Sequence, residues 1–277
     1  MNRNSPNRRS PFAKKSLGQN FLADETYVRK IVSAAALGKS DTVIEIGPGR
    51  GALTKQLIER AGRVIAIELD PDLARLLANE FGKHNNFDII EADILNLDIS
   101  DLAGSRKLKI VANLPYYIST AVLQHLIEQR LSISDMVLMF QREVVNRIVA
   151  QPGNSDRGYL TVLVEAFLNV EKLFDVPPTA FRPAPKVWSS VVRIAPRGDD
   201  RSIAERGSEF ERLVSAGFRQ KRKTILNNLK AASAELKIED PTRVIALAGI
   251  DPTRRAESLT LEEWKRLLIN YTASSDV

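Results

Sequence analysis

A five-residue segment that begins at Asn113 combines residue types suited to a flat base with an exocyclic amino group. It reads Asn-Leu-Pro-Tyr-Tyr and directly follows an apolar run over 108–112 that is typical of a buried strand. The Asn113 side-chain oxygen and the Leu114 carbonyl could each accept one hydrogen from such an amine. Pro115 fixes the turn without donating a backbone N–H, and Tyr116 offers a face for stacking. Adenine fits this description, because two acceptors would redirect the N6 lone pair from the ring toward an electrophile. Taken alone, the segment is also compatible with an ordinary strand-end turn containing buried tyrosines.

A glycine-rich turn upstream predicts a site for a nucleotide-like ligand. The run 42–46 has a buried-strand pattern, and the turn Gly-Pro-Gly-Arg-Gly from Gly47 to Gly51 follows it directly. The apolar residues over 52–58 then have helical spacing. Glycines in a strand, turn and helix unit let a ligand approach the backbone closely.

Two acidic residues follow the next two strand-like runs. Glu68 ends the run that begins at Val64 and stands 21 positions after Gly47, where an acid can accept from ribose hydroxyls. Asp93 follows the run 87–90, and its carboxylate could accept from an adenine amino group. Dinucleotide dehydrogenases share a glycine turn with one acid, and glycine can also serve packing alone. The Gly-x-Gly-x-Gly spacing, the second acid and the Asn-Leu-Pro-Tyr segment instead favour a nucleoside with a sulfonium side chain, with S-adenosylmethionine as the obvious candidate.

These motifs together resemble those of the KsgA-type ribosomal RNA adenine N6,N6-dimethyltransferases, and they run in the family's order over nearly the whole chain. The matching segments are Leu17-Gly18-Gln19-Asn20-Phe21-Leu22, Glu45-Ile46-Gly47-Pro48-Gly49-Arg50-Gly51, Glu68-Leu69-Asp70, Asp93-Ile94, Asn113-Leu114-Pro115-Tyr116-Tyr117-Ile118-Ser119 and Phe181-Arg182-Pro183-Ala184-Pro185-Lys186-Val187. The resemblance implies that the S-adenosylmethionine site is lined by Asn20, Leu22, Gly47, Glu68, Asp93 and Asn113, with the motif residues Gly49 and Ile94 beside them. It also implies that Tyr116 and Phe181 hold the target adenine between their rings.

The order of the predicted elements indicates an α/β fold. Strand patterns alternate with helical ones, which predicts a doubly wound, Rossmann-like and mostly parallel sheet with ligands at the carboxyl ends of its strands. Asp24 is the expected N-cap of the first helix, so 19–22 should enter the sheet edge near the cleft. The last two strands have no helix between them, which predicts a terminal antiparallel hairpin. The predicted strands lie near 42–46, 64–68, 87–90, 108–112, 135–140, 170–175 and 188–194.

A proline-rich segment over 176–185 separates those last two strands. Its prolines predict a stiff extended loop that holds Phe181 over the cleft, facing Tyr116. Two such rings would grip a flipped base by both faces. The alternative is that Phe181 fills a gap in the core.

Composition predicts a chain of about two domains without a metal site. The chain has 277 residues, 44% of them hydrophobic, and no apolar run approaches the roughly 18 residues of a membrane span. It has no cysteine and only two histidines, His84 and His125, so neither a disulfide framework nor a clustered zinc or iron–sulfur site is expected. We expect a basic N-terminal arm and cofactor-site entry segment over 1–23, an S-adenosylmethionine-dependent methyltransferase domain over 24–195 and a helical RNA-binding domain over 196–277.

Basic residues at both ends of the chain are the candidates for RNA contact. The net charge is +6, and the arm accounts for five of these charges through Arg3, Arg8, Arg9, Lys14 and Lys15. This arm could follow RNA phosphates, although a solvated tail or a transit peptide is also compatible with its composition. In the C-terminal region an apolar helical face predicted from Phe210 to Leu229 leaves basic residues on another face, where Arg219, Arg222 and Lys223 are the expected phosphate contacts. A merely solvated face is the alternative.

The predicted activity is methyl transfer from S-adenosylmethionine to N6 of two adjacent adenosines near the 3′ end of small-subunit ribosomal RNA. We expect a cytoplasmic monomer that acts on the small ribosomal subunit or its assembly precursor and has no membrane partner. One alternative is a macrolide-resistance type methyltransferase of large-subunit RNA. The segments 218–223 and 255–259 look KsgA-like and disfavour it. The other alternative is a non-catalytic nucleic-acid-binding paralogue, against which Glu68, Asp93 and Asn113 argue.

Overall fold

The predicted α/β architecture is confirmed in the computed structural model, which describes residues 19–104, 106–198, 203 and 205–272. Residues 1–18 of the predicted N-terminal arm, which include its five basic residues, and residues 199–202 of the predicted linker lie outside this part of the chain. All seven predicted strands are present in it. The strands are β1 (Phe21–Leu22), β2 (Thr42–Ile46), β3 (Arg63–Glu68), β4 (Phe87–Glu91), β5 (Leu108–Asn113), β6 (Ile133–Gln141), β7 (Leu168–Val176), β8 (Phe181–Arg182) and β9 (Ser189–Pro196).

The main sheet has the strand order β4-β3-β2-β5-β6-β9-β7. The pairs β3–β4, β2–β3, β2–β5 and β5–β6 are parallel. Valine and isoleucine fill the central strands, and Val43, Ile44, Val64 and Ile65 are almost fully buried, as expected for strands covered on both faces. β7 and β9 are neighbours, as the hairpin prediction requires, and β9 lies between β6 and the edge strand β7.

Helices connect the parallel strands, and several begin at an acidic cap. Asp24 accepts a hydrogen bond from the Thr26 N–H at 2.8 Å, which confirms the predicted N-cap. Asp70 caps the helix after β3 in the same way, with Pro71 in its first turn. The helices are α1 (Glu25–Ala34), α2 (Ala52–Arg60), α3 (Pro71–Phe81), α4 (Ile99–Ala103), α5 (Ser119–Glu128), α6 (Arg142–Ile148), α7 (Tyr159–Phe167), α8 (Gly207–Gly217), α9 (Ile225–Ala231), α10 (Ser233–Leu236), α11 (Pro241–Leu247) and α12 (Leu261–Thr272). None of the described helices is long and apolar enough to cross a membrane.

The chain divides into two compact units. One comprises the residues up to Val122 together with Leu131–Gln141 and Leu173–Arg193. Its hydrophobic core joins α1 and α2 to the central strands. The other comprises Leu123–Arg130, Arg142–Lys172 and the residues from Ile194 onward, and its helices bury large side chains that include Phe210 and Trp264.

The segment before α1 departs from the prediction. We expected 19–22 to join the edge of the main sheet, but β1 pairs with β8 in a separate two-stranded antiparallel sheet. Leu22 is opposite Phe181 in that pair. The backbone N–H groups of Ala23 and Asp24 both donate to the Ala180 carbonyl, at 2.8 and 3.2 Å, so the proline-rich segment satisfies this stretch of backbone.

The helical region from Phe210 onward is also interrupted where a continuous apolar face was predicted. A Cβ on Gly217 would lie 2.4 Å from the Trp264 ring, so α8 ends where it packs closely on α12. Asn228, which is 2% exposed, donates to the carbonyls of Gly217 (2.6 Å) and Gln220 (3.2 Å) and accepts from the Gln220 N–H (3.2 Å). These bonds stabilise a turn between α8 and α9 in place of a helical ladder.

Candidate cofactor and adenine site

The carboxyl ends of four adjacent parallel strands meet at one edge of the sheet. β2 and β5 are neighbours, β3 is next to β2, and β4 is next to β3, so the residues that follow each strand line a common cleft. This cleft brings together all the predicted cofactor and catalytic residues except Phe181. Its walls include Asn20, Leu22, Gly47, Gly49, Glu68, Asp93, Ile94, Asn113, Leu114, Pro115 and Tyr116.

The glycine turn between β2 and α2 requires a backbone that only glycine adopts readily. Gly47, Gly49 and Gly51 have φ values of +64°, +61° and +80°. A Cβ on Gly49 would lie 2.9 Å from the Phe21 ring, and one on Gly51 would lie 2.6 Å from the Phe81 ring. The turn therefore packs against neighbouring rings on one side and presents bare backbone to the cleft, where the group implied by its sequence would fit.

Glu68 connects this turn to the end of β3. One carboxylate oxygen accepts from the Gly49 N–H at 3.1 Å, and the other accepts from the Asp70 N–H at 2.9 Å. Burial raises the pKa of Glu68, and these two N–H groups oppose the rise. Each carboxylate oxygen has a second acceptor position, so the residue can fix the turn and still accept from a ribose hydroxyl.

The Asn-Leu-Pro-Tyr segment lies beside the glycine turn. A Cβ on Gly47 would be 3.7 Å from Cδ of Pro115, an ordinary van der Waals contact. The Asn113 side-chain NH2 donates to the Asn20 carbonyl at 3.4 Å, which leaves the amide oxygen as the acceptor of that side chain. Both partners line the cleft, so this bond joins the predicted cofactor segment before α1 to the predicted catalytic amide.

Tyr116 is held at its hydroxyl end. Its hydroxyl is 2.7 Å from the Ser189 hydroxyl, and its backbone carbonyl accepts from the Ser119 hydroxyl at 3.1 Å. Burial raises the pKa of Tyr116, and Ser189 opposes that rise. The Tyr116 hydroxyl is therefore neutral at physiological pH. Because both the hydroxyl and the backbone of Tyr116 are held, its ring is fixed, as stacking against a base requires.

Asp93 begins a short 3-10 helix at Ile94–Asn96 and accepts from the Leu95 N–H at 3.0 Å. This cap holds a half-buried carboxylate in the cleft wall, next to the buried Ile94. The predicted contact of Asp93 with an adenine amino group uses its remaining acceptor positions and stays a prediction.

Phe181 is not where the proline-rich segment was expected to hold it. Its side chain is 0% exposed and packs in the hydrophobic core with Leu22, Val28 and Val176, among others. The reason is the β1–β8 pairing, which draws the ring under the segment before α1. A base-stacking role for Phe181 requires the ring to leave this packing and stays a prediction.

The predicted RNA contacts lie in a turn, and the expectation of a basic stripe on one helix is wrong. Arg219, Arg222 and Lys223 are exposed between α8 and α9, in the turn that Asn228 holds. Arg219 pairs with Glu235 at 2.9 Å, whereas Arg222 and Lys223 extend from the surface of the same turn.

The residue-level predictions missed Glu45, although it lines the cleft. It lies within β2 and is 1% exposed. A glutamate inside an otherwise apolar strand was the signal that could have identified it. Burial raises its pKa to about 8.

Structures of known proteins share the fold of this chain. A dimethyladenosine transferase from Plasmodium falciparum has a TM-score of 0.76 and 28% identity, covering 92% of this chain and 98% of that one. The 23S rRNA methyltransferase ErmE has a TM-score of 0.65 and 26% identity, covering 91% of this chain and 100% of that one. Together with the cleft, these similarities define a methyltransferase with a Rossmann-like fold.

Sequence comparison shows which family of methyltransferases the chain belongs to. The family model described as ribosomal RNA adenine dimethylase matches residues 12–272. A ribosomal RNA small subunit methyltransferase A from Clostridium botulinum (strain Loch Maree / Type A3) is 41% identical over 254 residues, or 91% of this chain and 92% of that protein. The protein of the same name from Saccharophagus degradans is 42% identical over 267 residues, or 96% and 97%. The chain belongs to the ribosomal RNA adenine dimethylase family.

Proposed function

We propose that this protein uses S-adenosylmethionine to dimethylate N6 of two adjacent adenosines near the 3′ end of 16S ribosomal RNA during ribosome biogenesis. The observation that carries the proposal is the position of Asn113. Its acceptor side chain lies in the same cleft as the glycine turn and Glu68, and it bonds to Asn20. The 41–42% identical relatives named small subunit methyltransferase A support the choice of RNA.

The residues of the cleft divide the binding of cofactor and base between them. Glu68 would accept from the ribose hydroxyls, the glycine turn would face the amino-acid end, and Asp93 would accept from the adenine amine of the cofactor. The cofactor supplies an electrophilic methyl carbon on a sulfonium. Tyr116 would support the target base, because Ser189 holds its hydroxyl and so fixes the plane of the ring.

Two hydrogen-bond acceptors would activate the N6 amine of the target adenine. The Asn113 oxygen and the Leu114 carbonyl would each bind one N6 hydrogen, so that the nitrogen lone pair points at the electrophile. The N6 proton becomes acidic once nitrogen carries the added methyl group, so it can leave to solvent without a strong protein base. Catalysis then depends on positioning and on acceptors fixed before the substrate arrives.

RNA contact is assigned to the helical region and to the N-terminal arm. We place the methyltransferase domain at 24–195 and the RNA-binding helical domain at 196–277, with Arg219, Arg222 and Lys223 as phosphate contacts. A buried asparagine already holds the backbone of this turn. Its exposed cations can therefore contact a phosphate backbone without the entropic cost of ordering that backbone. We propose further that the protein is a cytoplasmic monomer with the small subunit as its partner.

Methylation of ribosomal subunits tests the proposal directly. Small and large subunits isolated from cells that lack this modification are incubated with the protein and radiolabelled S-adenosylmethionine, and dimethyladenosine is mapped by reverse-transcription stops. We expect two adjacent stops near the 3′ end of the small-subunit RNA. Label confined to the large-subunit RNA would favour the macrolide-resistance alternative, and no label in either would favour a non-catalytic paralogue.

The Asn113→Ala variant tests the assigned amide. Most methyl transfer should be lost while affinity for the small subunit is retained, because the amide acts on the reacting amine; some loss of cofactor affinity is expected from its bond to Asn20. Asn86→Ala is a matched control, since Asn86 also donates to backbone carbonyls, those of Ile58 and Ala61, and does not line the cleft. Near-normal turnover of Asn113→Ala at saturating cofactor would refute the role.

A further inference from the structure

Arg50 is a cation in the wall of a cleft whose other charged wall residues are acids. Of the residues that line the cleft in the described part of the chain, Arg50 is the one with a positive charge, whereas Glu45, Glu68 and Asp93 are acidic. The proposed binding of the cofactor uses Glu68 and Asp93 and does not use Arg50. Because charges in a binding site complement those of the ligand, a single cation among acids indicates one anionic group on that ligand.

The glycine turn and a neighbouring ring hold Arg50 in this wall. Arg50 lies between Gly49 and Gly51, so it belongs to the turn that presents bare backbone to the cleft. Its guanidinium carbon, Cζ, is 4.6 Å from the centre of the Phe21 ring, within the range of a cation–π contact. Phe21 packs on the same turn, since a Cβ on Gly49 would lie 2.9 Å from its ring. A contact through one face of the guanidinium leaves N–H donors at its edge, and Arg50 is exposed, so those donors can reach a ligand at the turn.

S-adenosylmethionine has one anionic group, the carboxylate of its methionine part. A guanidinium binds a carboxylate through two parallel N–H···O bonds, whereas ionised acids repel it. We propose that Arg50 binds the carboxylate of S-adenosylmethionine and so makes the cleft selective for cofactors that carry this group. The inference rests on the proposed function, which puts the amino-acid end of this cofactor at the glycine turn.

This contact should affect cofactor binding and not the chemical step. The carboxylate keeps its charge while the methyl group is transferred, so Arg50 would stabilise the bound cofactor and the transition state equally. Loss of the contact should therefore raise the KM for S-adenosylmethionine and change kcat little. Because Arg50 is exposed, the effect should be smaller than that of a buried charge pair, and we expect the dissociation constant to change by about five- to tenfold.

Titration calorimetry of the full chain tests the contact with two probes, S-adenosylmethionine and its decarboxylated form, which lacks only the carboxylate. The wild type should bind S-adenosylmethionine about five to ten times more tightly than the decarboxylated form. Arg50→Met keeps an unbranched side chain beside Phe21 without the charge, so this preference should fall below about twofold. Arg29→Met is the matched control, because Arg29 is an exposed arginine on α1 that does not line the cleft, and it should keep the preference of the wild type.

Equal preferences in the wild type and Arg50→Met would overturn the proposal, while binding of S-adenosylmethionine by both would leave the proposed function intact. If Arg50→Met binds S-adenosylmethionine normally but binds small subunits more weakly, Arg50 contacts RNA and the proposal is overturned as well. If Arg50→Met does not fold, the wild type decides alone, because a wild type that binds the two probes equally has no partner for the carboxylate. A wild type that fails to bind S-adenosylmethionine would remove the proposed function and this inference together.

Discussion

Replacing Gly49 with alanine should damage the cleft in two separable ways. The first is backbone strain, because Gly49 has a φ of +61° and an alanine in the left-handed region costs about 1–2 kcal/mol. The second is steric, because the new Cβ would lie 2.9 and 3.1 Å from two carbons of the Phe21 ring. Ordinary carbon contacts are about 3.5–4.0 Å, so the ring or the turn must move by roughly 0.5 Å or more.

Either movement changes the predicted cofactor site. If the turn shifts, the 3.1 Å bond from the Gly49 N–H to Glu68 lengthens; if the ring shifts, β1 moves with it. We therefore expect the dissociation constant for S-adenosylmethionine to rise at least tenfold, equivalent to about 1.4 kcal/mol. The thermal midpoint should fall by about 2–8 °C from the backbone strain alone, with a further loss from the contact.

Gly249→Ala is the matched control. Gly249 has a φ of +67° and is exposed, and a Cβ on it would meet no atom within 4 Å, so its substitution carries the backbone strain without the steric contact. Scanning calorimetry and cofactor titration of both variants separate the two effects. The reasoning would be refuted if Gly49→Ala lost no more stability than Gly249→Ala and bound cofactor as tightly as the wild type.

Three further experiments test other parts of the molecule. Glu68→Ala should weaken S-adenosylmethionine binding by one to two decades, because a hydrogen bond to a charged group is worth about 1.5–3 kcal/mol; unchanged affinity by calorimetry would leave Glu68 as a structural support of the glycine turn only. Changing Arg222 and Lys223 together to Glu should weaken binding to undermethylated small subunits and flatten its salt dependence, since each phosphate contact contributes about 0.7–0.9 to the slope of log affinity against log salt. Changing the exposed Lys55 and Lys83 together to Glu should leave both the binding affinity and its salt dependence unchanged. Equal effects of the two pairs would contradict a specific contact at Arg222 and Lys223. Asn228→Ala should lower the free energy of unfolding by about 2–4 kcal/mol, because it leaves the Gly217 and Gln220 backbone groups without their partner; a stability loss below about 1 kcal/mol in thermal unfolding would show that the turn does not depend on it.

Local patterns were sufficient to predict the sheet and the contents of the cleft. Runs of valine and isoleucine marked the strands, and positive φ at Gly47, Gly49 and Gly51 is the physical reason for the glycine spacing. Since parallel strands end at the same edge, knowing which residues end or follow β2 to β5 was enough to expect Glu68, Asp93 and Asn113 in one place. These predictions depend only on short segments and on the handedness of their connections.

Predictions that depended on distant contacts were less successful. The helical spacing from Phe210 to Leu229 is genuine, because Leu213, Val214 and Leu229 are all buried. The turn that interrupts this spacing depends on contacts with Trp264 and with the side chain of Asn228. Such contacts cannot be predicted from a short segment of sequence. Phe181 is a similar case: its polar, proline-rich surroundings favoured exposure, whereas its pairing opposite Leu22, far away in sequence, buries it.

The β1–β8 pair must open before any base can reach Phe181, and this opening costs free energy. Leu22 lies in the cofactor cleft and Phe181 lies opposite it, so exposing the ring means separating two strands and giving up the burial of a phenylalanine, about 1.5–3 kcal/mol. A substrate that needs the exposed ring would bind through a minor conformation, with an apparent affinity roughly one to two decades below its intrinsic value. Because Leu22 in β1 is a predicted cofactor contact, a cofactor that loosened this pair would lower that cost before the RNA arrived.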